Sequence, residues 1–286
     1  ATGRVLAMVE HIRRKRPQPH HLALQATYPA ASLFKIVTLA AALEADDSLR
    51  AESRFYYQGS QYRISRRELD QNPRKLRKRI SLAHAFAKSN NPVFGALAYR
   101  HVGPYLLQEY AQAFGFNQSL KFDFPIQDSQ FSVEYDPLKL ARIGAGLWRA
   151  TTISPLHAAM LAATIGNNGV MMAPYVIDKI RDQQDKVIYR AREDSIGHPI
   201  SSTTAERIRE MMFETTRSGT LRRAFTRRGK QVLDVKVGGK TGTLRGANPN
   251  GKYNWFVGLG PVEKPDIAVA VMVVNPRSWR VKASHV

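Results

Sequence analysis

Two apolar stretches stand out along the chain, residues 36–43, broken by one Thr, and residues 267–274. Both fall well short of the roughly 18 residues that would suggest a membrane span. Around the first, residues 33–44 are good helix formers without Gly or Pro. Ser32, shortly after Pro29, sits where an N-terminal cap belongs, so the pattern predicts a buried helix capped by Ser32. The second stretch shows no alternation of polar and apolar positions, which predicts a strand covered on both faces, as in a sheet with helices packed on it.

Elsewhere the pattern alternates between helical segments and breakers. Residues 3–9 read as a sheet edge and the basic, Pro-containing residues 11–21 as a loop. From about 46 to 146 the periodicity is mostly helical, with segments 81–87, 92–101 and 104–114 separated by Gly, Pro and basic loops, which predicts a helical lobe. Helices are expected at 155–165, stopped by Gly166-Asn167-Asn168-Gly169, and at 204–216, stopped by Ser218-Gly219. In the last third, residues 232–237, 255–260 and 267–275 read as strands, the last two joined by a turn at Glu263-Lys264-Pro265-Asp266.

Composition narrows the classes. With 286 residues and 43% hydrophobic side chains the chain has material for a sizeable core. Cysteine is absent, which removes thiol nucleophiles, disulfides and cysteine metal sites. The opening residues, Ala1 to Met8, are neither a charged leader nor a signal core and read as the middle of a strand, so a preceding segment is expected. The formal charge of +20 is concentrated in Arg13-Arg14-Lys15-Arg16, in residues 74–79, in Arg222-Arg223 and in Arg227-Arg228-Gly229-Lys230. Such runs serve as solvated faces or attract an anionic membrane or wall surface. No nucleic-acid-binding motif accompanies them, so no nucleic acid partner is expected.

Three short motifs carry candidate chemistry. Ser32-Leu33-Phe34-Lys35 puts a hydroxyl and an amine three residues apart, within reach of one another on a helix. At a helix start, free N–H groups and the positive dipole end would also favour an oxyanion beside Ser32. Ser89-Asn90-Asn91 lies on a tight connection between two helical segments, where it either caps a helix or aims polar side chains into a cleft. Gly238-Gly239-Lys240-Thr241-Gly242-Thr243 reads as an open edge strand: its glycines let another backbone approach, and Lys240 and the hydroxyls can hold a carboxylate. The spacing is wrong for a phosphate loop, whose first Gly stands five residues before the second.

Each motif is weak alone, and the order SxxK, SxN, KTG is specific. At this point the chain resembles the transpeptidase domain of penicillin-binding proteins, a fold shared with serine β-lactamases. Residues 3–8, Tyr28-Pro29, Gly144-Ala145-Gly146, Ser154-Pro155, Asn167-Asn168-Gly169, Ser218-Gly219-Thr220 and Trp255-Phe256-Val257-Gly258 look like landmarks of the same family. The resemblance implies an α/β (α+β) fold: a central, mainly antiparallel sheet covered by helices, plus a helical lobe, with the site between them. It implies one transpeptidase domain over 1–286, with the lobe at about 46–154 and the sheet part at about 1–45 and 155–286. A membrane anchor would precede it.

The same resemblance implies roles. Ser32 would attack the carbonyl between the last two D-alanines of a peptidoglycan stem peptide, with Lys35 taking its proton. Ser89 would relay a proton to the leaving amine, and Asn91 would orient Lys35 and bind the substrate amide. Lys240, Thr241, Gly242 and Thr243 would gather the terminal carboxylate, and the N–H groups of Ser32 and Thr243 would form the oxyanion hole. No cofactor and no metal are implied. β-Lactam antibiotics would acylate Ser32, other cell-wall synthesis proteins would be partners, and the setting would be extracytoplasmic.

Competing readings are a DD-carboxypeptidase, a β-lactamase and a non-catalytic envelope scaffold or antibiotic sensor. Class A lactamases carry Ser-Asp-Asn and a Glu closely followed by Asn on a loop; here Asn90 stands in the middle and Glu134-Tyr135-Asp136-Pro137 lacks that pattern. Class D enzymes carry Val or a similar residue where Asn91 stands. Ala30-Ala31 departs from the Pro-Gly usual before the nucleophile. Gly144-Ala145-Gly146 and the residues before Ser32 resemble the monofunctional class more than the bifunctional one. No GxSxG surrounds any serine, and the histidines show no triad or metal spacing.

Overall fold

The apolar run after Ser32 becomes the helix Lys35–Ala45, in which every residue from Lys35 to Leu43 is buried. A helix hydrophobic all round belongs in the middle of a fold. This one packs against the helices Asn91–Leu97, Gly103–Ala113 and Ser202–Arg217. The computed structural model describes residues 2–12, 21–228, 230–247, 249–275 and 281–286. The basic run Arg13-Arg14-Lys15-Arg16, most of the loop expected at 11–21, and Gly229 lie outside the described residues.

The strands Gly238–Ala247, Asn250–Gly260 and Ile267–Asn275 form an antiparallel sheet in that order. The helix Pro155–Gly166 covers the second and third strands, and Ser202–Arg217 lies against the first. On the opposite side of the central helix, Leu82–Ala87, Asn91–Leu97, Gly103–Ala113 and Pro137–Gly144 form a helical group. A hairpin pairing Arg54–Tyr57 with Lys78–Ser81 joins that group. This is the mixed helix and antiparallel-sheet architecture expected. The indole N–H of Trp255 in the middle strand donates to the Pro29 carbonyl at 2.9 Å, fixing the sheet to the segment that leads into Ser32.

Several expectations fail for identifiable reasons. Residues 3–9 join no strand; Arg4 makes one parallel bridge to Tyr175, and Leu6 and Val9 remain exposed. Residues 232–237 are irregular, with Val232, Leu233 and Val235 exposed around Asp234. The strand starts instead at Gly238 and runs ten residues, and its partner begins at Asn250 rather than Trp255. The strand Ile267–Asn275 is the outer strand of the described sheet, and Ile267 and Val269 are exposed rather than covered. Ser32 is not an N-cap. It lies inside a 3-10 turn, Ala31–Phe34, that precedes the α-helix.

Gly146 shows how tightly the lobe meets that turn. Its φ is +68°, and a Cβ there would lie 2.1 Å from the carbonyl oxygen of Ala31. Gly59 has a similar φ of +67° with nothing within 4 Å. Gly59→Ala should therefore cost only the left-handed backbone term, about 1 kcal/mol. Gly146→Ala adds a backbone collision and should cost roughly two to three times as much, read as the drop in thermal midpoint. Equal drops would show that the turn before Ser32 yields easily.

Candidate active site

Ala31 adopts φ 51°, a left-handed conformation unusual for a residue with a Cβ. The turn it starts brings Ser32 beside the edge strand. An ideal Cβ on Gly242 would lie 3.3 Å from the Ser32 nitrogen and 3.2 Å from the Ala31 Cβ, so the missing side chain lets the strand lie against the Ser32 backbone. Ser32 is half-buried. As the second residue of its turn it is among the first N–H groups, which have no partner within the helix.

Lys35, one helical turn on, is fully buried. Its Nζ lies 2.9 Å from Ser32 Oγ, 2.8 Å from Asn91 Oδ1 and 2.6 Å from the Ala145 carbonyl oxygen. Asn91 Nδ2 donates to the Tyr62 carbonyl at 3.0 Å, which turns Oδ1 toward the lysine. A neutral amine has two N–H donors and one lone pair. Asn91 Oδ1 and the Ala145 carbonyl can only accept, so they take both donors and leave the lone pair for the Ser32 hydroxyl. Burial, and then the charge of Lys240, hold the Lys35 pKa well below the ordinary lysine value.

The SxN motif performs two tasks at once. Asn90 caps the helix Asn91–Leu97, its Oδ1 accepting from the Val93 N–H at 3.0 Å. Ser89 adopts φ 56°, and this sharp turn sends its neighbours to opposite duties. Asn91 meets Lys35, whereas the Ser89 hydroxyl accepts from Lys240 Nζ at 3.0 Å. The cap reading and the cleft reading both hold, for different residues.

Lys240 is also fully buried and donates to the Thr241 carbonyl at 3.0 Å. Burial pulls its pKa down to about 7. Thr241 and Thr220 share a hydroxyl hydrogen bond at 2.8 Å, and the exposed Thr243 reaches Asn254 Oδ1 at 3.4 Å. The structure thus joins Ser32, Lys35 and Asn91 in one hydrogen-bonded group and Ser89 and Lys240 in another, with Gly242 against the Ser32 backbone and Thr241 and Thr243 beside it on the edge strand. Sequence reasoning missed the carbonyls of Ala145 and Tyr62, because a backbone oxygen leaves no signature. Thr220 belonged to a family landmark but carried no assigned role. Among the described residues no group of three or more His, Asp or Glu side chains gathers as a metal ion would need.

Comparison with known proteins gives a consistent result. A family model described as the penicillin binding protein transpeptidase domain matches residues 1–285. The peptidoglycan D,D-transpeptidase PbpA of Mycolicibacterium smegmatis is 28% identical over 262 residues, 88% of this chain and 50% of that protein. The D,D-transpeptidase domain of a peptidoglycan glycosyltransferase from Eggerthella lenta superposes with a TM-score of 0.74 at 30% identity, covering 90% of this chain and 62% of that one. Penicillin-binding protein A of Mycobacterium tuberculosis, solved as an imipenem acyl-enzyme complex, gives a TM-score of 0.74 at 27% identity, covering 93% and 59%. The chain spans about half the length of the curated relatives it matches.

The buried amines make a prediction independent of any reaction. A lysine whose folded pKa lies below its unfolded value binds its proton in the unfolded state first, so stability rises with pH between the two values. For Lys240 that window runs from about 7 to 10.5. Across it the parent should gain up to about 1.4 kcal/mol per pH unit relative to Lys240→Met, measured by denaturant unfolding. Parallel stability curves for the two proteins would show that Lys240 is not perturbed.

Proposed function

The chain belongs to the penicillin-binding protein transpeptidase family, and on that premise we propose that it is a serine D,D-transpeptidase acting on peptidoglycan stem peptides outside the cytoplasm. The observation that carries the reading is the placing of two buried lysines around Ser32: Lys35 Nζ is 2.9 Å from its hydroxyl, and Lys240 is held beside Ser89 across the cleft. The D,D-transpeptidase relatives support the same activity.

In this proposal neutral Lys35 accepts the Ser32 proton as Oγ attacks the carbonyl carbon of the penultimate D-alanine. The developing oxyanion is met by the N–H groups of Ser32 and Thr243. The C–N bond then breaks, and the proton that Lys35 took from Ser32 is relayed through Ser89 to the departing amine, leaving D-alanine free and the acyl group on Ser32. An amine of a second stem attacks that ester, forms the crosslinking amide and returns the proton to the Ser32 oxygen. Lys240, with the hydroxyls of Thr241 and Thr243, holds the terminal carboxylate during the first half. Asn91 keeps Lys35 oriented and contacts the substrate amide. A β-lactam would follow the same path, but its broken ring bond leaves no amine to depart, so the ester persists.

The protonation states set the pH dependence. Lys35 must be neutral and Lys240 charged, so the second-order rate of acylation by benzylpenicillin should fall on the acid side as Lys35 is protonated. It should fall again above about 7 as Lys240 loses its proton. Asn91→Asp places a carboxylate beside Lys35 and raises its pKa, which should move the acid limb upward and cut the rate at neutral pH by on the order of tenfold. An unshifted limb would remove Lys35 from the role of base.

Intact mass after incubation with benzylpenicillin tests the activity class. The parent should carry one adduct that persists for hours, and Ser32→Ala should carry none. Rapid drug consumption with no accumulated adduct would make the protein a β-lactamase. Neither adduct nor turnover would make it a non-catalytic member of the family.

A further inference from the structure

The helical side of the molecule carries a charge concentration that the reaction above does not use. Residues 63–79 contain eight Lys or Arg and two acidic residues. One of the two, Glu68, is buried inside a capping box with Ser65. All eight basic side chains are exposed. Among the described residues the single ion pair they make is Arg66 with Asp136 at 3.8 Å, the arginine side chain being 80% exposed. Such a pair neutralises little. Solubility alone would be served by dispersed charge, whereas clustering raises self-repulsion.

This face is fixed to the fold. Leu76 is buried in the middle of the run Arg74 to Arg79. The N–H groups of Lys75 and Leu76 donate to the Asn72 carbonyl, each at 3.0 Å, and the Arg77 N–H donates to Gln58 Oε1 at 3.1 Å. Lys78 Nζ donates to the Gly59 carbonyl at 2.6 Å. The segment also begins next to Asn91. The Gln61 carbonyl accepts from the Asn91 N–H at 2.8 Å, the Tyr62 carbonyl accepts from Asn91 Nδ2, and the exposed Arg63 follows directly.

We infer that residues 63–79 form a docking face for the carboxylate-bearing peptidoglycan polymer itself, holding neighbouring stems beside the cleft that contains Ser32. The inference rests on the D,D-transpeptidase reading, under which each free stem ends in a carboxylate. Fixed guanidinium and ammonium groups attract such a polyanion over about a Debye length and raise the local concentration of stems at the rim. A lipid bilayer is the weaker occupant, because a flat anionic surface seated on this face would lie across the rim at Gln61 and Tyr62.

The test uses the variant Arg74→Gln/Lys75→Gln/Arg77→Gln, which leaves every residue of the cleft intact. Co-sedimentation with purified sacculi stripped of accessory anionic polymers should weaken by on the order of tenfold in the variant, and parent binding should fall between about 50 and 500 mM salt. Benzylpenicillin acylation, which needs no polymer, should agree between the two proteins, showing that the variant is folded. Equal sedimentation of parent and variant would overturn the inference. So would binding by the parent to vesicles containing phosphatidylglycerol but not to stripped sacculi. Acylation of the parent decides the underlying reading separately: its absence would sink the transpeptidase assignment, while sedimentation alone decides the docking face.

Discussion

Two lysine side chains buried close together and, among the described residues, bonded to no carboxylate are the constraint on which the rest of the site depends. Removing an ammonium charge from water is costly enough to lower the pKa of both amines, Lys240 to about 7 and Lys35 well below the ordinary lysine value. Each amine then has few partners, and their directions matter. Lys35 spends its donors on Asn91 Oδ1 and the Ala145 carbonyl, which leaves its lone pair to Ser32. Lys240 spends its donors on Ser89 and its own strand. The depressed amines follow from burial, and burial follows from the central helix and from the aromatic rings of Phe94 and Phe86 that lie 5.6 and 5.4 Å from the two nitrogens.

The surrounding fold exists to keep those distances. Trp255 links the middle strand to Pro29, Gly242 lets the edge strand touch the Ser32 turn, and Gly146 lets the helical group come up to Ala31. Two residues with Cβ atoms, Ala31 and Ser89, are held at positive φ on either side of the cleft. Strained backbone of this kind persists where surrounding packing over-determines it, and here it turns Ser32 and Ser89 toward the two lysines.

Much of the site was legible because its side chains are polar residues at fixed spacings. SxxK works through helical proximity, KTG through a strand that needs glycine, and SxN through a turn that needs a cap as well as two pointing groups. What stayed hidden was backbone chemistry: the carbonyls of Ala145 and Tyr62 orient Lys35 and Asn91 yet depend on no particular side chain. The helices were legible from periodicity, and 155–165 and 204–216 differ from the observed elements by no more than two residues at either end. Short apolar runs misled. Residues 3–9 and 232–237 have strand-like composition, but strand pairing is a tertiary event: the first run makes a single bridge, Arg4 with Tyr175, and the second pairs with no strand in the described structure.

The central claim is that burial holds the Lys35 amine well below the pKa of an ordinary lysine. Lysine-selective nitrogen-15 labelling, with Lys35→Arg and Lys240→Arg used for assignment, would follow both side-chain nitrogens through a pH titration of the free protein. The account predicts a Lys35 midpoint well below the ordinary lysine value and a Lys240 midpoint near 7. A Lys35 signal that stays at the ammonium position through neutral pH and titrates only near the ordinary lysine value would contradict it.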